Sequence, residues 1–316
     1  MNQQRCEQCY SEIEAEDLRC VICGVVTPET EKPPRPAIEV LRCDNCGAAV
    51  SYDVKHAAPR CGFCGSTTKL EEISDPLEQT EKYLSLDVTT ENARQAFKTW
   101  LGGKGFFAPS DLLEQTKLEK IHPLWWTGWV FDAKAQVSWT ADSNANARES
   151  DWAPHSGQVS YNFDNVLISA SRGLSDAEVQ TLAPHYRLEA IQSKDELPND
   201  AIIEQFETQR SAARSKIIHN IQTMAEARVH QHEVPGSRVR NLHVHCCLEA
   251  LSTERIAFPV YILAYRYREE LYRVVLHGQK QDVIAGRMPI SWAKVLLVTS
   301  FLLLGLGVLG YWFSLQ

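Results

Sequence analysis

Positive charge is in short supply: 32 Lys and Arg face 40 Asp and Glu across 316 residues, for a net charge of −8 at pH 7. Phosphate backbones are bound chiefly by neutralising cations, so this balance argues against nucleic acid as a partner. Catalytic signatures are missing too, with no HExxH, GxSxG, phosphate loop or dinucleotide fingerprint anywhere in the chain. Gly102-Gly-Lys-Gly105 lacks the GxxxxGK[ST] spacing and reads as helix-ending glycine. His122, His155, His185, Asp132 and Asp164 are scattered, and no enzyme class is expected from them. No secretory leader precedes the first cysteine, and charge is wholly absent from Val295 to Phe313.

What the chain does have is eight of its ten cysteines in four CxxC pairs: Cys6/Cys9, Cys20/Cys23, Cys43/Cys46 and Cys61/Cys64. A CxxC turn brings two thiolates to one ion, and two such pairs joined by a short hairpin complete a tetrahedral four-thiolate site. Disulfides, a redox pair or an iron cluster are the competing readings, and the repetition favours Zn2+ over iron. Two structural ions are therefore expected, with no coordination position left open for catalysis. Glycine follows three of the pairs, at Gly24, Gly47 and Gly65, whereas Tyr10 follows the first. Over residues 1–72 there are eight Lys and Arg against twelve Asp and Glu, a net of −4. Each four-thiolate zinc centre adds about −2, taking this region to about −8.

Chain order suggests ribbon 1 over 1–30, a proline-rich linker over 31–40, ribbon 2 over 41–73, a linker over 74–88 and a mixed α+β cytosolic domain over 89–290. Within ribbon 2, residues 48–53 and 67–70 are strand-like and could pair. In the larger domain a helix capped by Thr89 or Thr90 is expected to Leu101, and Ser175-Asp-Ala-Glu178 forms a capping box. The longest helix is expected at about 200–232, with Ile202, Ile203, Phe206, Ala213, Ile217, Ile221, Met224 and Ala225 as its apolar stripe. Strands are expected at Pro123–Asp132, Ala135–Thr140, Tyr161–Ser169, Val239–Leu248, Ile256–Tyr267 and Tyr272–Leu276, with a further one at Asp282–Ala285. The tryptophans between Trp125 and Trp129 read as core more readily than as a stacking platform, because no Lys or Arg is interleaved.

His230/His232 and His243/His245 are the only other candidate metal ligands. On a strand His243, His245 and Cys247 share a face. On a helix His230 and His232 lie about 200° apart, so convergence of the two pairs is not expected. Cys246 and Cys247 then read as strand residues facing opposite sides.

The uncharged run after Val295 is long enough for a helix to span about 30 Å of hydrocarbon, giving a single-pass, tail-anchoring helix over 292–313. Lys280, Arg287 and Lys294 precede it and nothing basic follows, which places the N-terminal bulk in the cytoplasm. Thiolate ligands agree with a reducing compartment.

The cysteine pattern resembles the double-zinc-ribbon and transcription factor IIB-like ribbon families. A fuller pattern resembles a bacterial family of membrane-anchored tandem zinc-ribbon proteins. It comprises the ribbons, Trp100, Phe107-Ala-Pro109, Pro123–Asp132, Phe258-Pro-Val-Tyr261, Gly278-Gln279, Pro289, Ser291 and the terminal run. What the resemblance implies is a metal fold and no particular activity; the reading favoured from the residues is a membrane-tethered adaptor that binds a cytosolic protein partner. The alternative is a nucleic-acid-binding, transcription- or replication-associated ribbon protein, which the charge disfavours.

Overall fold

The computed structural model describes residues 4–8, 10, 12–13, 19–20, 22–23, 25–26, 38–43, 49–51, 68–73, 79–103, 105–147, 151–193, 201–206, 208 and 210–314. The N-terminal region contributes β1 (Gln4–Arg5), β2 (Glu12–Ile13), β3 (Ile38–Cys43), β4 (Ala49–Ser51) and β5 (Thr68–Ile73). After these come β6 (Lys82–Leu84), α1 (Thr90–Gly102), α2 (Leu112–Gln115), β7 (Lys117–Ser143), β8 (Ala153–Ser169) and α3 (Asp176–Leu182). The chain ends with β9 (Ile191–Ser193), α4 (Arg210–Arg228), β10 (Val239–Tyr267), β11 (Glu270–His277), β12 (Ile284–Gly286) and α5 (Trp292–Ser314). Strand outweighs helix, so the mixed α+β expectation is corrected to a sheet-rich fold.

The sheet is built on one long antiparallel pair. β7 has 27 residues and β10 has 29, and they pair from Lys117 opposite Arg266 to Ser143 opposite Val239. At about 3.3 Å per residue the ladder approaches 90 Å along the chain. Each was expected as two shorter strands; the joins at Asp132–Lys134 and Glu249–Arg255 stay in the ladder, with register irregularities absorbing the mismatch. β8 runs beside β7 over one half of the ladder, while β11, with β12 outside it, flanks β10 over the other. Where the halves meet, β6 joins β10 in parallel at Ile256 and Ala257, and β9 pairs with β6.

Sequence pattern tells the halves apart. Ile256–Tyr267 is almost continuously apolar and is buried on both faces. Trp126, Phe258, Val260 and Ile262 pack toward α3 and Tyr186, whereas Tyr261, Leu263 and Tyr265 pack toward Phe97, Leu101 and Leu112 of α1 and α2. Leu242–Leu248 instead alternates, as a strand with one wet face must. Its even-numbered residues join a core under Ala213, Ile217, Ile221 and Ala225 of α4, while His243, His245 and Cys247 are exposed.

Helix caps follow local chemistry. Thr89 caps α1 by accepting from Asn92 N–H, and Ser175 with Glu178 forms a complete capping box at α3. The expected 200–232 helix is shorter at its start: α4 begins at Arg210 and ends in a π-turn over Val229–Glu233. Ile202 and Ile203 are extended because Trp125 N–H donates to Ile202 O and Glu204 N–H donates to Trp125 O, at 2.9 and 2.8 Å. Trp129 Nε1 fixes Thr208 O in the same way at 3.0 Å. These long-range bonds override a helical stripe that is regular only from Ala213 onward.

The C-terminus also corrects the expected fold class. Among the described residues no helix is long and apolar enough to cross a membrane. α5, over Trp292–Ser314, is largely exposed as far as its side chains are described, to Leu306. Its first turn is tied to the protein, since Lys294 Nζ donates to Ala108 O at 2.8 Å and lies against the Phe106 ring. The single-pass spanning helix expected over 292–313 is therefore corrected: no such helix is found among the described residues.

The helix α4 core is the simplest energetic test. Ile217 is fully buried against the β7–β8–β10 face, and truncating such a side chain typically costs about 2–5 kcal/mol. Ile217→Ala is expected to lower stability by that amount in urea unfolding, whereas a change at the exposed Lys216 is expected to fall within about 0.5 kcal/mol.

Candidate metal centre

Local turns carry the N-terminal cysteines toward one point. β1 and β2 pair antiparallel, Gln4 with Ile13 and Arg5 with Glu12, so the chain doubles back just after Cys6. Tyr10 N–H donates to Cys6 O at 2.9 Å, and Tyr10 has φ 58°, the left-handed conformation that glycine adopts more cheaply. The only pair without a following glycine thus makes its turn with a tyrosine. On the other side, an Arg19–Val26 bridge and a 2.8 Å bond from Cys20 N–H to Val25 O close the second knuckle.

The thiol sulfurs of Cys6, Cys20 and Cys23 lie within 4.8 Å of one another and could hold a metal ion. Cys6 and Cys20 are 1% and 2% exposed, and Cys6 Sγ is 3.5 Å from Cys23 Sγ. That separation is far beyond a disulfide bond of about 2.05 Å. It is close to the roughly 3.8 Å edge of a tetrahedron with metal–sulfur bonds of about 2.3 Å. Ile13, packed with Cys6 and Cys20, shields the sulfurs from water.

Cys9, the fourth thiol expected here, lies outside the described residues, as do Cys46, Cys61 and Cys64 of the second set. Cys43 is described and buried at the end of β3, where it joins the apolar cluster around Leu84, Leu182 and Val283. The strand pairing of this region differs from expectation. β4 and β5 do not pair with each other but flank β3 on either side. β3 starts at Ile38, inside the expected linker.

The remaining sequence candidates separate. Trp125, Trp126 and Trp129 are buried core residues, with indole N–H groups given to Leu84 O, the Tyr186 hydroxyl and Thr208 O. His230 and His232 are exposed on the π-turn after α4. His155 Nε2 lies 3.3 Å from Ala145 O, and Asp132 accepts from Asn165 N–H at 2.7 Å. His122 pairs with Ile262 across the ladder.

One buried polar group escapes the sequence reading. His277 ends β11 at 0% exposure, under the Tyr186 ring at a centroid distance of 3.9 Å. Its Nδ1 accepts from Gln279 and Lys280 N–H at 3.0 and 3.1 Å, which places the proton of the neutral ring on Nε2. Tyr186 donates to Pro259 O and accepts from Trp126 Nε1, both at 3.0 Å. Gly278 is required beside it, because a Cβ there would meet Pro259 O at 2.5 Å. The turn His277–Gln281 is visible in the sequence; its packing against Tyr186, 91 positions away, is not.

Burial, reinforced by the positive field of His185 and Lys280, pushes His277 down to about 4 from an ordinary 6.5. A histidine kept neutral in the fold stabilises it above its unfolded pKa. As pH falls below 6.5 the unfolded chain takes up the proton first, and stability declines until the folded ring titrates near 4. The expected loss across that window is on the order of 3 kcal/mol. In His277→Asn the slope of unfolding free energy against pH is expected to flatten between those limits, measured by urea unfolding at closely spaced pH values.

Comparison with other proteins supplies no template for these sites: no protein-family model, curated protein or solved structure matches the chain.

Proposed function

We propose that the N-terminal cysteine pairs hold two structural Zn2+ ions and that the protein is a non-catalytic zinc-ribbon adaptor for a cytosolic protein partner. Cys6, Cys9, Cys20 and Cys23 would ligate one ion, and Cys43, Cys46, Cys61 and Cys64 the other. The observation that carries this reading is the convergence of the Cys6, Cys20 and Cys23 sulfurs from two separate turns. Four thiolates would close the coordination sphere, so the ion's chemistry is to cross-link chain too short to build its own core. The resemblance of the cysteine spacing to tandem zinc ribbons points the same way.

Partner binding is supported by charge. Residues 1–72 carry a net −4 before metal, and each four-thiolate centre deepens it, which favours a basic protein surface and disfavours phosphate. The ribbon surface is also anchored. Ile22, between Cys20 and Cys23, packs against the α4 core, while Cys43 packs against the α3 core.

Full-length wild type, Cys20→Ser and Cys43→Ser, purified without chelator, separate the two parts of the proposal. Each substitution is expected to remove one equivalent of zinc, and retention of the full zinc content by both would contradict the metal assignment. Chemical cross-linking in cells should then capture a protein whose adduct is lost in Cys20→Ser or Cys43→Ser. Adducts identical in all three proteins would contradict the adaptor role.

A further inference from the structure

We propose that His243 and His245, with Cys247 as the next donor along the strand, form a second kind of metal site, open and exchangeable, for a borderline divalent transition-metal ion such as Zn2+ or Ni2+. All three side chains are exposed on the sheet face away from α4. The intervening Val244 and Cys246, with Leu248, turn inward to the α4 core. Opposite the three donors on β7 stand the uncharged Thr140, Ser138 and Gln136, and the Glu249 carboxylate beside Gln136 is paired with Lys134.

Strand geometry sets the spacing. Residues two apart on a strand are about 6.6 Å apart along it and point the same way. Two imidazoles can therefore lean toward one ion between them, with metal–nitrogen bonds of about 2.0–2.1 Å. The donors are not already gathered as at Cys6, Cys20 and Cys23, so closure is by side-chain rotation on a rigid backbone. His245 is the central ligand because it can chelate with His243 on one side or Cys247 on the other. Imidazole and thiolate select zinc, nickel or copper over magnesium or calcium. Water fills the remaining positions, which makes this ion exchangeable where a four-thiolate ion is not.

Three features set this segment apart from incidental surface histidines. Register irregularities bracket it, between Arg240 and His243 and between Leu248 and Ala250, and Asn241 takes φ 52° at the first. Bulges of this kind fix which residues of a strand face outward. The nearest cations are engaged elsewhere: Lys134 with Glu249 at 2.9 Å, and Arg240 with Asp142 at 3.4 Å and over the Trp152 ring. Finally, Cys246 turns inward to the α4 core, leaving Cys247 as the thiol on the open face.

The test uses the full chain with its cysteine sites zinc-loaded, then titrated with Ni2+ by calorimetry, with side-chain NMR following the histidines. One further equivalent is expected to bind, with paramagnetic loss of the His243 and His245 signals before those of His155, His230 and His232. His245→Asn is expected to weaken Ni2+ binding at least about tenfold, since even an outer-sphere partner of a metal ligand is worth that much. Cys247→Ser should weaken it less, and a His230→Asn, His232→Asn double variant should leave it unchanged. Because these side chains are exposed, circular dichroism should be the same in every variant. Ni2+ affinity that survives His245→Asn would overturn the proposal, as would the absence of any further equivalent.

Discussion

The antiparallel ladder between β7 and β10 is the constraint on which the rest of the molecule depends. The three hydrophobic cores, the helices over them and the histidine face all take their positions from its register. A slip of one residue would send Val244, Cys246 and Leu248 to water and bring His243, His245 and Cys247 under α4. At the other half the same slip would exchange the residues facing α1 with those facing α3, which the differing shapes of Tyr261, Phe258 and Trp126 would not accommodate.

Residues that carry the sequence resemblance meet at two joints of this frame. Phe258 stacks on Trp126 at 4.7 Å, Pro259 O accepts from Tyr186 and from Gly278 N–H, and Tyr261 donates its hydroxyl to Val88 O. At the second joint Ser291 N–H donates to Phe107 O, and Lys294 reaches Ala108 O. The first joint locks the α3 side of the sheet to the turn at His277, and the second fixes the start of α5. Aromatic and proline motifs that are distant in sequence are thus structural in origin, and the thiols at the other end of the chain are the candidate functional chemistry.

Local chemistry made much of this readable in the chain. The Ser175–Glu178 capping box, the Thr89 cap, the alternation of Leu242–Leu248 and the doubled-back cysteine turn at Cys6 are each written within a few residues. What stayed hidden depends on distant partners. Ile202 and Ile203 fit a helical stripe until Trp125 offers them backbone hydrogen bonds. The joins within β7 and β10 divide each into two expected strands until each strand holds the other. His277 gives no local sign of burial, because Tyr186 and Pro259 supply its cover. The uncharged C-terminal run suggested a span by composition alone, whereas the tether of Lys294 to Ala108 O is a property of the fold.

Ligand identity at the cysteine centre decides the account most directly, and zinc-edge X-ray absorption on the intact, chelator-free protein reads it. The account predicts a sulfur-only coordination shell of four atoms at about 2.3 Å. A shell containing nitrogen or oxygen at about 2.0 Å, or protein that carries no zinc while its cysteines remain reduced, would contradict it.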